Sequence, residues 1–135
     1  MYLVTDTECV GLTDKSIYDI AWRVVDKHGK VYVERSFCVR DVITNGKLMH
    51  DAFYAKKIFD HYIPRIADGV LTLKPWLEIR DILNDDIATF DANIFSAYNL
   101  GFDAAAIKHT HSKFGFGKYL TAPVRLLDMW NLACH

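Results

Sequence analysis

Three strand-length runs separated by tight turns occupy the first third of the chain, and they limit the possible folds more than any other feature. Residues 3–12 contain an apolar run that ends in two carboxylates one residue apart. Ile17–Val25 and residues 30–39 have the apolar–polar alternation of half-buried strands. The turn between them, residues 26–29, ends in a glycine suited to positive φ. We therefore predict a three-stranded antiparallel meander.

The rest of the chain is predicted to alternate helices with two more strands. Residues 52–66 have helical spacing, and Pro64 should kink or end that helix. A second helix is expected to start at residues 72–75, where a proline lies near the first turn. The remaining expectations are an irregular stretch at 40–50, a strand at 94–99, a helix from 102 to 114, a fifth strand at 124–127 and a last helix opening at Asp128.

This order of elements predicts an α/β fold with one mixed five-stranded sheet, in which the meander is extended by parallel strands and helices pack on the sheet. The 135 residues suffice for a single domain, residues 1–135, and not for two. The formal net charge of −1 argues against a protein that coats duplex nucleic acid by bulk electrostatics.

Two carboxylates lie one residue apart in the first run. Asp6 and Glu8 should project from the same side of a strand, about 7 Å apart. A divalent cation such as Mg²⁺ or Mn²⁺ would relieve their mutual repulsion. The alternative is an ordinary strand end with two solvated acids. Neighbouring Cys9 is open to two interpretations, a thiol nucleophile or a small packing residue.

A third carboxylate follows a later strand. Asp103 is predicted in the first turn of a helix just past a strand end, where open α/β sheets place functional groups. The alternative is that Asp103 only favours the helix dipole.

Together these segments resemble a known family. D-T-E-x-x-G-L near the N-terminus, followed roughly 90 to 100 residues later by A-x-N-x-x-F-D opening a helix, resembles the first two motifs of the DEDD family of 3′→5′ exonucleases. That family has an RNase H-like fold and includes polymerase proofreading subunits and oligoribonucleases. The resemblance implies hydrolysis of phosphodiester bonds at single-stranded DNA or RNA 3′ ends, with two bound Mg²⁺ or Mn²⁺ ions.

The resemblance also implies roles for individual residues. Asp6, Glu8 and Asp103 match three of the four metal-binding carboxylates of the family. Asn99 matches a supporting position near the strand end, and Phe102 a packing position. Three further residues, Val10, Gly11 and Leu12, would lie beside the terminal nucleotide. Leu12 is expected either to wedge against a base or to be buried.

The family's third motif, which supplies a general base and the fourth acid, is not found in this sequence. We therefore expect a C-terminally incomplete RNase H-like domain. Its open C-terminal edge could be covered by a homodimer, by a second chain of another kind, or by neither. Asp128 is expected to act either as a helix N-cap or as a residue that supports the metal ligands without binding the metal. The alternative function is an inactive or metal-poor module that binds nucleic acid or a protein partner.

The expected location is the cytoplasm, or the host cytoplasm for a viral protein. Three cysteines without C-x-x-C spacing indicate free thiols in a reducing compartment. A strand that begins at Met1 leaves no room for a secretory leader.

Overall fold

The computed structural model describes residues 1–120 and 125–133 and contains one mixed sheet with helices. Its strands are β1 (Tyr2–Cys9), β2 (Ile17–Val25), β3 (Val31–Val39), β4 (Leu73–Lys74), β5 (Ile94–Ala97) and β6 (Arg125–Asp128). Its helices are α1 (Arg40–Ile43), α2 (Gly46–His50), α3 (Ala55–Lys57), a π-helical segment (Ile58–Tyr62), α4 (Ile63–Ala67), α5 (Trp76–Thr89), α6 (Leu100–Phe114) and α7 (Met129–Ala133).

The strand order in the sheet is β4-β3-β2-β1-β5-β6. β1, β2 and β3 pair antiparallel, so the predicted meander is confirmed. β5 runs parallel to β1, and β6 runs parallel to β5. The predicted fifth strand is therefore present as β6, although Val124, its predicted first residue, lies outside the described residues.

The prediction of five strands is wrong because the described residues form six. Residues 72–75 were expected to begin a helix, yet Leu73 and Lys74 form β4, paired with Cys38 and Val39. Lys74 precedes Pro75, and the proline ring disfavours helical backbone in the residue before it. α5 therefore begins only at Trp76, with Pro75 as its extended N-cap.

The stretch at residues 40–50 is more regular than predicted, because it forms α1 and α2. The Asn45-Gly46 turn signal marks the start of α2, where the side-chain oxygen of Asn45 accepts a hydrogen bond from Leu48 N at 3.2 Å. This side-chain cap satisfies a backbone donor at the first turn.

Pro64 widens the predicted helix at residues 52–66 instead of ending it. A π-helical segment at Ile58–Tyr62 ends two positions before Pro64, which lies in the first turn of α4. Proline has no backbone N–H, and its ring collides with the carbonyl four residues earlier, so a regular α-helical turn is disfavoured there. Tyr62, the last residue of this segment, donates its hydroxyl to Asp19 of β2.

The core lies between one face of the sheet and helices α5 and α6. Along β1, Leu3, Thr5 and Thr7 are buried while Asp6, on the opposite face, is exposed. The Trp22 indole of β2 donates to Asp86 of α5 at 2.9 Å, which holds that helix against the sheet. Among the described residues, no helix is both long enough and apolar enough to cross a membrane.

Candidate functional site

The candidate site lies where β1 and β5 separate. Their parallel pairing ends at Val4↔Ser96, so the second half of β1 runs on beyond β5. Both strands end at the same edge of the sheet, and β1 has an antiparallel neighbour on its other side. In open α/β sheets, ligands bind beyond the carboxyl ends of the parallel strands, and this end of β1 is therefore the candidate position.

Asp6 and Glu8 project from the face of β1 opposite the core, as the alternation predicted. Asp6 lies opposite Ala21 on β2, and Glu8 lies opposite Asp19. Glu8 is half-buried and accepts a hydrogen bond from the Tyr18 hydroxyl at 3.4 Å. The two acids therefore have different surroundings, because Asp6 is exposed to solvent and Glu8 is held by a tyrosine.

Asp103 points toward β1 from the first turn of α6. Its side chain is buried, and Oδ1 accepts a hydrogen bond from the Thr7 hydroxyl at 2.8 Å. Burial raises the pKa of Asp103, hydrogen bonds from Thr7 oppose this, and repulsion from Asp6 raises it further. Asp6 thus acts on Asp103 across 97 positions of sequence, although Asp6 projects from the face of β1 opposite Thr7.

The three predicted carboxylates are not arranged together as a metal-binding group. Within residues 1–120 and 125–133, no group of three or more His, Cys, Asp and Glu side chains is arranged to hold a metal ion. The carboxylates that could serve as metal ligands are Asp6 and Glu8 on the face of β1 opposite the core and Asp103, which bonds Thr7 on the core face. Mg²⁺ is usually bound in proteins through one or two carboxylates together with water and substrate phosphates.

Asp19 is a fourth acid in the site, and the sequence analysis missed it. It lies opposite Glu8, and the Tyr62 hydroxyl donates to its Oδ2 at 2.7 Å. Burial raises the pKa of Asp19, the Tyr62 hydrogen bond opposes this, and Asp6 adds repulsion. Like charges directly opposite each other in a sheet are destabilising, so the pairing of Glu8 with Asp19 is costly.

Two tyrosines hold these acids in place. Tyr18 and Tyr62 pack edge to face, with ring centroids 5.4 Å apart, and each donates its hydroxyl to one acid. The β1–β2 register shifts at Glu8–Cys9, and this irregularity lies next to Tyr18. The sequence gives no direct sign of this pairing. Asp19 can be placed opposite Glu8 only once the register between β1 and β2 is known.

The supporting residues have mostly structural contacts. The Asn99 carbonyl accepts from the backbone of Phe102 at 2.9 Å and of Asp103 at 3.3 Å, and so fixes the start of α6. Phe102 is half-buried and lines a small cavity together with Glu8. Asp128 accepts from Trp130 N at 3.0 Å, which supports the N-cap interpretation of that residue.

The loop after β1 departs from one expectation. Val10 is buried, and its backbone pairs with Ser16, whereas the Leu12 side chain is 81% exposed. The alternative of a buried Leu12 is therefore wrong. Cys9 packs in the core, and burial is the main reason that its pKa rises to about 12. A thiol that stays protonated is a poor nucleophile, so the packing interpretation of Cys9 is favoured.

Comparison of this chain with protein-family models, with curated proteins and with solved structures gave no match.

Proposed function

We propose that this chain is a metal-dependent 3′→5′ exonuclease of RNase H-like fold that hydrolyses phosphodiester bonds at single-stranded nucleic-acid ends. One observation carries the proposal. Asp103 of the second motif accepts a hydrogen bond from Thr7 of β1, and Asp6 of the first motif repels it, so acids of two distant motifs act on each other at the same stretch of β1. Buried like charges at such a position are costly, and a cation would remove the cost.

A divalent cation, Mg²⁺ or Mn²⁺, would be held by Asp6 and Asp103, with Glu8 contributing to the second ion that the resemblance implies. When bound, such ions lower the pKa of a bound water and stabilise the charge on the leaving oxygen. The protein's part is to hold its ligands rigidly. Thr7 orients Asp103 through its hydroxyl, and Tyr18 orients Glu8.

The alternative proposal is a metal-poor module that binds nucleic acid or a protein partner. It is favoured by the lack of a three-ligand group among the described residues. Exposed apolar side chains on β6 and α7, Leu126 at 70% and Leu132 at 62%, also support a protein partner or a second copy at this edge.

Activity on a labelled oligonucleotide tests the exonuclease proposal. A 5′-labelled single strand is incubated with Mn²⁺ and the wild-type chain, Asp6→Asn or Asp103→Asn. We expect 3′-shortened products and mononucleotides from the wild type, and a loss of activity of roughly 100-fold or more in each variant. Mutation of a residue that only hydrogen-bonds a metal ligand already lowers metal affinity or activity by about 10- to 100-fold. Asp85→Asn is the matched control, because Asp85 is exposed on α5. Cleavage that survives both substitutions would rule out the proposed site.

Thermal melting with and without Mn²⁺ tests the cation directly. A ligand that binds only the folded state raises the melting temperature. We expect Mn²⁺ to raise the Tm of the wild type and of Asp85→Asn but not of Asp6→Asn. If the wild type shows no shift and still binds the oligonucleotide, the alternative proposal is supported instead.

A further inference from the structure

Lys57 is an exposed lysine beside the carboxylate site. It is the last residue of α3 and directly precedes the π-helical segment. Its ammonium nitrogen lies 5.7 Å from the ring centroid of Tyr54 and 5.7 Å from that of Tyr62. An ammonium within about 6 Å of an aromatic ring is attracted to the face of that ring. The two rings therefore fix the end of a side chain that solvent would otherwise leave free to rotate.

One of the two rings also belongs to the carboxylate site. Tyr62 donates its hydroxyl to Asp19 at 2.7 Å. It also packs edge to face on Tyr18, whose hydroxyl donates to Glu8. Burial raises the pKa of Asp19, and the positive charge of Lys57 is one of the influences that oppose this rise. The ammonium therefore acts on the acids that project from the face of β1 and β2 opposite the core.

The charge of Lys57 is not taken up by an ion pair. Its side chain is exposed to solvent, and no ion pair joins it to another residue within 1–120 and 125–133. The adjacent Lys56, in contrast, is paired with Asp60. Lys57 can therefore bind an anion without breaking an existing ion pair.

The neighbouring acids make a fixed positive charge useful to an anionic ligand. Asp6, Glu8 and Asp19 project from one face of the β1–β2 pair. Carboxylates repel a phosphate that approaches this face, because like charges a few ångströms apart raise the free energy. A cation beside the acids offsets part of that repulsion. A lysine ammonium is a compact point charge of the kind that binds phosphate.

We propose that Lys57 binds the phosphate of the 3′-terminal linkage when a single strand occupies the carboxylate site. The inference rests on the proposed function, because it takes this site as the place of the terminal phosphodiester. Tyr54 and Tyr62 are positioning residues, since they act on the phosphate only through the ammonium of Lys57. Contacts to the phosphate backbone carry no sequence information, so Lys57 serves any base at the 3′ end.

A neutral linkage tests this contact without any cleavage. Two oligothymidylates are compared, one with natural phosphates and one with an uncharged methylphosphonate at the 3′-terminal linkage. Binding to the wild type and to Lys57→Met is measured by fluorescence anisotropy in EDTA. We expect the neutral linkage to weaken binding to the wild type by about 2- to 5-fold, the effect of one exposed ion pair. Lys57→Met should bind the natural strand more weakly by the same factor and should bind both strands equally.

Lys56→Met is the matched control, because it removes the neighbouring lysine, whose charge is already paired with Asp60. It should bind like the wild type and keep the preference for the natural strand. Lys57→Arg should also keep this preference, since the positive charge is retained. A purely structural role of Lys57 would instead lower the affinity of Lys57→Met for both strands and leave the preference intact. Melting curves of all variants check that they are folded.

Salt dependence provides a second readout. Lys57→Met should lower the slope of log affinity against log salt by about 0.7, as expected for one lost phosphate contact on a single strand. The slope of Lys56→Met should equal that of the wild type.

Several outcomes would overturn the inference. These are no binding by the wild type, equal binding of the two strands by the wild type, a preference for the natural strand that persists in Lys57→Met, or the loss of that preference in Lys56→Met. The proposed function fails by a different result, namely cleavage that persists in Asp6→Asn. The two failures are distinguishable, since binding in EDTA depends neither on hydrolysis nor on a metal ion.

Discussion

Asp103 is a carboxylate at which function and stability oppose each other. Its side chain is buried and lies near Asp6, and both circumstances disfavour its charged form. Because its pKa is raised in the folded state, the folded chain holds a proton that the unfolded chain has already released. The free energy of unfolding therefore falls as the pH rises from the unfolded pKa through the folded pKa. Groups that serve a site are commonly unfavourable in this way.

We predict that Asp103→Asn raises the stability of the chain at pH 7 while it abolishes the proposed activity. Asparagine keeps an oxygen that can accept from Thr7 and carries no charge to be desolvated or repelled. Thermal melting at a series of pH values measures the effect. The Tm of the variant should exceed that of the wild type at pH 7, and the difference should shrink toward acidic pH, where the wild-type carboxyl is protonated. A Tm below the wild-type value at neutral pH would contradict the prediction.

At the scale of elements, the end of α6 depends on a glycine. A Cβ on Gly115 would lie 2.3 Å from Nδ1 of His111, one turn earlier in the helix. The same Nδ1 accepts a hydrogen bond from the buried Trp76 indole at 3.2 Å, and that bond joins α6 to α5. The packing of the two helices at this point therefore requires residue 115 to have no side chain.

Gly115→Ala is predicted to destabilise the chain by about 1–3 kcal/mol, because His111 must move and Trp76 loses its acceptor. Urea unfolding monitored by tryptophan fluorescence measures the free energy of unfolding. Gly101→Ala is the matched control in the same helix, since a Cβ there meets nothing within 4 Å. It should be neutral or stabilising by about 0.5–1 kcal/mol. Equal effects of the two substitutions would argue against the clash.

At the scale of the whole molecule, one buried acid joins three elements. Asp86 on α5 accepts from the Trp22 indole of β2 at 2.9 Å and from two nitrogens of Arg35 on β3, each at 3.1 Å. The bidentate arginine and the indole satisfy both carboxylate oxygens. This cluster holds the meander against α5, on the face of the sheet opposite Asp6 and Glu8.

We predict that Asp86→Ala costs about 2–4 kcal/mol of unfolding free energy, because the buried Trp22 N–H is left without an acceptor. Asp85→Ala, at the exposed neighbouring position, should change stability by less than about 0.5 kcal/mol. Denaturant unfolding compares the two. A cost for Asp86→Ala no greater than that for Asp85→Ala would contradict the assignment of this cluster as a link between elements.

Parts of the fold that depend on local patterns were predictable from the sequence. The alternation in β2 and β3 and the turn before residue 30 indicated the meander, and the spacing of two acids in β1 placed them on one face. Periodicity and turn chemistry act over a few residues, so they can be read without knowledge of the rest of the chain.

The composition of the site depended on contacts between residues remote in the sequence. The pairing of β1 with β2 brought Asp19 opposite Glu8, and the π-helical segment before Pro64 brought Tyr62 to Asp19. Likewise, the backbone N–H of Phe53 donates to Val10 and joins Phe53 to the loop after β1. None of these residues has a distinctive local pattern, so sequence analysis could not select them.

The sequence alone determined the alternation of strands and helices and indicated the three acids Asp6, Glu8 and Asp103. Hydrophobic periodicity and turn residues are local properties, so they do not depend on the rest of the chain. Only the tertiary structure decided that Asp103 bonds Thr7 of β1, that Glu8 is held by Tyr18 and that Leu12 is exposed. Strand register and helix docking are set by burial of the whole core at once, and a side chain's neighbours follow from that packing rather than from its position in the chain.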